Sequence, residues 1–513
     1  MKALEEIAAA PPHFEQFIFP GEHVISVTPE PARHTEKIPS GLRELYRLTN
    51  AESHTDVGAF GPAIASLALD IESNRTIDNL HLYEALFGRD SLRVALDLLP
   101  SHPRLMRVTL LSLAGLQGLE YDVEREEEPG RIIHESRKPD DPIRRRITEE
   151  LGWGWPYYGS IDSTPEFIRA IRAYCAKASE GEAFLFQSYT DKKGSPRIVA
   201  DALTFAVTWL MKRMTSNPQG LVESLSAMPG RGIENQVWKD SWDAYFHADG
   251  EIANHEKGVA SIEVQRVAYD ALLDAAELYK GSLGRYDEAR QLEEQATNLR
   301  STILSEFWSD EKGGYFVLGT DRDEGDNLRQ LKVRASNMGH LLHSRLLEGN
   351  DEETVKYRQA IISQIFSAEM LAPSGVRTLA SDEARFRPFA YHNGSVWLWD
   401  THFIAKGLRR HGYHHLADEL SRRLFNIIDT TKRFPEFVSG DDTPEPRLNQ
   451  HTVVVWDEVN KRENRIEQPP QEIQAWSVAA ILAIKHYNST NGHSGSRPFR
   501  DDFEEAVFNS LPA

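Results

Sequence analysis

The sequence predicts an all-α fold in which paired helices close into a toroid, on three observations. From about residue 60 onward the dominant hydrophobic period is helical. The helices are joined alternately by short turns and by long loops rich in Gly, Pro and Trp. No repeat of fixed period runs through the chain, as it would in a solenoid. With 513 residues, 40% of them hydrophobic, the chain can bury a core large enough for one such domain, with its long loops gathered at one end around a central cleft.

The elements follow in order. Residues 1–60 begin Pro-rich and irregular ("APPHFEQFIFPGEHV", "TPEPARHTEKIPSG") and read as a wrapping arm, leaving 61–513 as the barrel. Helical segments come at 89–99, 103–120, 164–178 and 199–214. "EVQRVAYDALLDAAELYKGS" then sets Val264, Val267, Ala268, Ala271, Leu272, Ala275 and Leu278 on one stripe, with Gly281 as a stop. "YDEARQLEEQATNLRSTILSEF" repeats the pattern through Ala289, Leu292, Leu299, Ile303 and Phe307; the short "GSLGR" between them makes a helical hairpin. Further helices are expected at 336–347, 352–368, 400–411, 414–428 and 472–487, and the better strand signals are "GGYFVLG" and "HTVVVWDEV".

Charge narrows the partners. The chain carries 58 Lys+Arg against 78 Asp+Glu, a net −20, which argues against nucleic acid and anionic membrane. No run approaches the ~20 apolar residues of a membrane span, and the N-terminus has no signal-peptide core, so a cytoplasmic location is expected. The single cysteine, Cys175, sits in a helical pattern and reads as a buried, inert thiol. Oligomeric state is not legible, and a homo-oligomer stays open.

The interhelical loops share a composition: "EALFGRDSL", "GRIIHESRKP", "GWGWPYYGSIDSTPEF", "GIENQVWKDSWDAYF", "SGVRTL", "RPFAYHNGSVWLWDTHF", "RFPEFVSG" and "PPQEIQAWS". Seven of the ten tryptophans lie in these segments, and each segment also holds at least one Asp, Glu, Arg, His or amide side chain. Indole faces stack on the C–H faces of sugar rings while carboxylates and amides hydrogen-bond the hydroxyls, so the pattern points to a neutral polyhydroxylated ligand. Aromatics plugging a barrel mouth are the competing explanation for any one tryptophan, less so for the set.

These motifs, in this order from about residue 80 to 487, resemble the glucosidase domain of glycogen-debranching enzymes, the amylo-α-1,6-glucosidase-like group related to glycoside hydrolase family 63. The resemblance implies an (α/α)6 barrel, inverting hydrolysis of an α-glucoside, a general acid in the W-K-D motif and a general base in a late P-E motif. On that mapping Asp240 is the acid and Glu436 the base. The chemistry agrees: an inverting glycosidase needs two carboxyl groups roughly 6.5–9.5 Å apart, one of them protonated near neutral pH. Asp240 lies between Trp238 and Trp242, which would raise its pKa by desolvation, whereas Lys239 would lower it if it pointed inward. Glu472 is the second candidate for the base, because "PPQEIQAWS" departs from the usual Cys-Pro-Gln-Ala-Trp run of debranching enzymes.

Arg89 and Asp90 of "FGRDS" resemble residues that hold the non-reducing glucose, and an Arg–Asp pair at a helix start is compatible with that role. Glu135, Tyr158, Asp162, His392, Asn393, Gln474 and Trp476 are expected around the same sugar, with Trp397 or Trp399 as a stacking platform and Arg377 contributing a hydroxyl contact. Trp238, Lys239, Trp242 and Asp243 complete the set, Asp243 as sugar ligand or helix cap.

No metal or cofactor is expected. "HESR" lacks the second histidine of a zinc H-E-x-x-H, the His340/His343 and His411/His414/His415 spacings have no Cys or nearby acidic ligand to complete a site, and no nucleotide loop is present. The function this reading favours is an exo-acting inverting α-glucosidase on a small α-glucoside, such as glucosylglycerol, glucosylglycerate or a short α-oligosaccharide. The alternatives are a debranching amylo-α-1,6-glucosidase on glycogen branch stubs, and a phosphorylase or epimerase on the same barrel. The first of the latter needs a basic phosphate site in place of the base, the second a histidine pair. A non-catalytic sugar-binding protein would have lost one of the two carboxylates, and both are present.

Overall fold

The computed structural model describes residues 85–448, 451–457, 460–471, 474–491 and 497–511. The arm expected over 1–60, the first residues of the barrel and Glu472 lie outside the described residues.

Twelve α-helices occur among them: α1 (Gly88–Leu98), α2 (Pro103–Gly115), α3 (Pro142–Leu151), α4 (Ser163–Lys177), α5 (Val199–Thr215), α6 (Ile262–Lys280), α7 (Tyr286–Glu306), α8 (Glu352–Ile365), α9 (Leu398–Arg410), α10 (His414–Thr431), α11 (Ala475–Asn491) and α12 (Asp502–Asn509). The stripe expected on α6 is buried in full, Val264 through Leu278, and so are Ala289, Leu292, Leu299 and Ile303 on the facing side of α7. Cys175 is buried in α4, where desolvation pushes its thiol up to about 12.

Two segments differ from expectation. The helix expected at 336–347 is instead two 3-10 stretches, Ser336–His343 and Arg345–Leu347. Its first turn carries Ser336, Asn337 and Gly339, weak helix formers. The Ser344 hydroxyl then restarts the turn by accepting from Leu346 N at 3.0 Å. Helix α3 was not anticipated. It has a well-marked start, with Asp141 accepting from Ile143 N at 2.7 Å and Pro142 at the first position, but Ile143 is its only buried residue, so it presents no apolar stripe.

The helices pack in a circuit. α1 lies on α4, α4 on α6, α6 on Ser336–His343, that segment on α9, α9 on α11, and α11 back on α1. The elements between them in sequence pack outside: α2 on α1 and α4, α5 on α4 and α6, α7 on α6, α8 on Ser336–His343, and α10 on α9. Among the described residues, no helix is long and apolar enough to cross a membrane. Strands are short. "GGYFVLG" supplies Tyr315–Phe316 and leads into Gly319–Arg322, which pairs between Ala260–Ser261 and Leu328–Leu331. "HTVVVWDEV" supplies Thr452–Asp457, hairpinned with Arg462–Glu467.

The interior of the ring is charged. Glu166 of α4 lies 3.0 Å from Arg93 of α1, 3.4 Å from Arg169 and 3.8 Å from Arg266 of α6. Nearby, His340 and Asp400 meet at 2.5 Å, both fully buried. Burial alone would raise the Glu166 carboxyl, but the three guanidinium groups outweigh it and bring it to about 2. Its contribution to stability is therefore present above about 4.5 and is lost as pH falls towards about 2. Removing one partner of such a network leaves the others uncompensated, so Glu166→Ala is expected to cost about 3–5 kcal/mol in a denaturant titration at pH 7.

Candidate active site

The polar residues of the long loops converge where inner helices begin. Arg89 and Asp90 stand in the first turn of α1, Asp162 precedes α4, Trp397 precedes α9 and Gln474 precedes α11. Short ladders tie these loops together. Phe87 pairs with Glu135, Glu135 bridges to Tyr157, and Trp397 pairs with Phe437, the neighbour of Glu436. Two close approaches explain glycines in the motifs. A Cβ on Gly88 of "FGRDS" would lie 2.0 Å from Ile133 O, and one on Gly440 would lie 1.7 Å from Gly394 O. Only bare backbone lets α1 meet the "IIHE" strand and lets the "HNGS" turn meet the "PEFVSG" strand.

The resulting cleft has a volume of about 280 Å³. Of the residues expected in the site, Arg89, Asp90, Glu135, Trp238, Asp240, His392, Trp397, Glu436, Gln474 and Trp476 line it. The two proposed catalytic carboxyls, 196 positions apart in sequence (436 minus 240), thus face one cavity.

Arg89 organises one wall. Its Nε donates to Asp90 at 3.1 Å and its Nη1 to Asp162 at 3.3 Å, while Nη2 reaches Asp240 only at 3.8 Å. Asp240 keeps 32% of its side chain open to the cleft and is enclosed by protein elsewhere. Desolvation raises its carboxyl to about 7, with Asp90 and Asp162 adding to the rise and Arg89 opposing it. Glu436 is buried on the opposite segment. Its Oε1 accepts from the Tyr391 hydroxyl at 2.9 Å and its Oε2 from Gln471 N at 3.2 Å. Desolvation lifts Glu436 to about 8 against these two donors. Burial by itself therefore does not distinguish the two carboxyls. Two donors favour the ionised form of Glu436, whereas Asp240 has its own backbone N–H and, at longer range, Arg89; even so, burial leaves Glu436 holding its proton at least as tightly as Asp240.

The loop is pinned on both sides of Asp240. Lys239 turns away from the cleft, is fully buried and donates from Nζ to Thr378 O at 2.5 Å; burial lowers it to about 8. It is a strut, neither a sugar ligand nor a neighbour that lowers the Asp240 pKa. Ser241 is held by His392, and Asn235 donates to Ser241 O at 2.9 Å. Trp238 lines the cleft, packed edge-on against Trp399 at 4.9 Å. Trp242 does not share that duty, because it stacks on Trp456 of the Thr452–Asp457 strand at 5.1 Å.

Several other expected ligands are engaged elsewhere. Asp243 is no helix cap, since no helix starts there; it pairs with Arg387 at 3.2 Å. Asn393 donates to Asp243 O at 2.9 Å. Arg377 is buried and spends its guanidinium on Gly440 O and Ala368 O, bracing the loops from behind. The Tyr158 hydroxyl donates to Leu116 O at 2.7 Å. Asp162 stands behind Arg89. In each case the residue type suited a sugar, but a backbone carbonyl or ion pair claimed it. The cleft also contains residues not singled out from sequence: His134, Arg137, Ser241, Tyr391, Gln468 and Gln471. Arg137, paired with Glu135, adds a second guanidinium to the wall. These lay inside or next to the quoted motifs, but nothing in their types set them apart there.

A family model described as the mannosylglycerate hydrolase MGH1-like glycoside hydrolase domain matches residues 182–441, half of the chain, including both Asp240 and Glu436. The chain belongs to this family. It is a glycoside hydrolase, and the expected relation to family 63 is borne out. A sequence search of curated proteins returns no match. Among solved structures, the family 63 mannosylglycerate hydrolase of Thermus thermophilus in complex with Tris superposes with a TM-score of 0.53 at 15% identity, over 87% of this chain and 99% of that one. The same enzyme with glucose gives 0.51 at 16% over 79% and 94%, and with Tris and D-glycerate 0.51 at 15% over 82% and 99%. At such identities the likeness is one of fold.

The Glu436 carboxyl binds its proton more tightly in the folded chain than in the unfolded one, so it lowers stability progressively as pH rises from about 4.5 to about 8. Glu436→Gln is accordingly expected to melt a few degrees above the parent at pH 8.5, with most of that gain gone at pH 5, as read by thermal unfolding at the two pH values.

Proposed function

We propose that this glycoside hydrolase is an inverting, exo-acting α-glucosidase built on an (α/α)6 barrel, with residues 61–513 as the catalytic domain. The six-element circuit with outer helices between its members supports the barrel. The single observation that carries the mechanism is that Asp240 and Glu436 line the same small cleft, and their roles as acid and base follow the motifs they stand in. In this reading Asp240, protonated, gives its proton to the glycosidic oxygen as the bond to the anomeric carbon breaks. Glu436 takes a proton from a water that attacks that carbon from the opposite face, and does so from its ionised form, which the Tyr391 and Gln471 donors favour against burial. Hydroxyls of the terminal sugar are held by Arg89, Asp90 and Gln474, with Trp397 and Trp476 as apolar walls. Asp240 regains its proton from solvent, and Glu436 returns its own.

A volume of about 280 Å³ is at the low end of small-molecule sites, roughly 300–1,000 Å³, which favours a small glucoside over a glycogen branch. The family's mannosylglycerate hydrolases and the neighbour's D-glycerate complex make glucosylglycerate the first substrate to test. Proton NMR of fresh digests of glucosylglycerate, mannosylglycerate, glucosylglycerol and isomaltose is expected to show β-glucose first from glucosylglycerate. Asp240→Asn and Glu436→Gln should each lower kcat by about 10²–10⁴-fold on that substrate. Release of the α-anomer, or full activity in Asp240→Asn, would overturn this reading.

A further inference from the structure

Two adjacent residues touch the two halves of the site. The Tyr391 hydroxyl donates to Glu436 Oε1 at 2.9 Å. The next residue, His392, receives Ser241, the residue after Asp240: Ser241 N donates to His392 Nδ1 at 3.3 Å, and Ser241 Oγ lies 2.8 Å from the same atom. A backbone N–H can only donate, so Nδ1 is an acceptor and the ring proton sits on Nε2. The dipeptide is itself rigid. His392 stacks on Trp397 at 5.2 Å and 22°, and Trp238 meets it edge-on at 5.5 Å. Tyr391 packs edge-on against Phe437 at 5.1 Å. The Trp397 indole N–H donates to Tyr391 O at 2.9 Å, closing the turn on which both residues stand. Asp240 is thus flanked by two anchored residues, Lys239 on Thr378 O and Ser241 on His392.

We propose that the Tyr391–His392 dipeptide is a spacer that sets the separation of the proton donor and the base, His392 positioning Asp240 through Ser241 and Tyr391 positioning Glu436 directly. The inverting mechanism is sensitive to this separation, because a water must fit between the base and the sugar while the acid reaches the leaving oxygen. Neither residue transfers a proton in this scheme. Burial, with Lys239 and Arg89 nearby, holds His392 in its neutral form, which keeps Nδ1 available to Ser241.

This inference rests on the acid and base assignments above, and leaving-group dependence separates the two. An alkyl α-glucoside needs its leaving oxygen protonated; α-glucosyl fluoride does not, although both need the water activated. His392→Gln, whose amide lies nearer the Nε2 position, and Ser241→Ala both loosen the acid loop. They are expected to lower kcat on the alkyl glucoside by about 10²-fold and about tenfold respectively, with a much smaller loss on the fluoride. His392→Asn, whose amide oxygen falls near Nδ1, should bring the ratio of the two rates back towards the parent's. Tyr391→Phe should lower both rates by about tenfold and leave their ratio unchanged. Thermal unfolding of each variant checks that it folds. Equal losses on both substrates in His392→Gln and Ser241→Ala, or a leaving-group-dependent loss in Tyr391→Phe, would overturn the spacer. Asp240→Asn and Glu436→Gln run alongside: if Asp240→Asn is not itself spared on the fluoride, the acid assignment fails and not the spacer.

Discussion

The site depends on how one buried guanidinium is shared among three carboxylates. Arg89 satisfies Asp90 and Asp162 at hydrogen-bond distance and reaches Asp240 only at 3.8 Å. In a desolvated pocket a carboxylate ionises only with compensation, and the two nearer groups take most of it. The third is left with desolvation and with two like charges close by, and its proton is retained up to about 7. The same cation anchors the start of α1 to the segment before α4 and opposes the rise that burial imposes on both Asp90 and Asp240. Replacing any one of the four would change the proton balance of the rest, so the cluster behaves as a unit.

The ring serves this arrangement by bringing helix starts together. Arg89, Asp90, Asp162, Trp397 and Gln474 sit in the first turn of α1 or just ahead of α4, α9 and α11, while Glu135, Asp240 and Glu436 stand on the connecting loops, with short ladders at Glu135 and Phe437 tying those loops together. The ring interior does not close by apolar packing alone. Glu166 with Arg93, Arg169 and Arg266, and His340 with Asp400, fill it with paired charge. Such pairs are costly to desolvate and costlier to break, so they are a poor source of net stability but a sensitive point for substitution.

Much of this was legible in the chain. The apolar stripes of α6 and α7 gave their packing faces without error, because the 3.6-residue period is a local property. The loops rich in tryptophan and carboxylate marked the end of the molecule where the cleft lies. The helix expected at 336–347 became 3-10 because Ser336, Asn337 and Gly339 weaken a pattern whose apolar residues alone look helical. Helix α3 was missed for the converse reason, good caps with almost nothing to bury.

Residue type and order determined the helical class, the membership of a glycoside hydrolase family, and the two carboxyl residues that end up facing one cavity. What they left undecided was direction. Lys239, Trp242, Asp243, Arg377 and Tyr158 have the chemistry of sugar ligands, yet Thr378 O, Trp456, Arg387, Gly440 O and Leu116 O hold them out of the cleft. Those partners lie from 42 to 214 positions away in sequence. A side chain's hydrogen-bonding capacity is written in its type, but the partner that uses it is chosen only when distant backbone is packed against it.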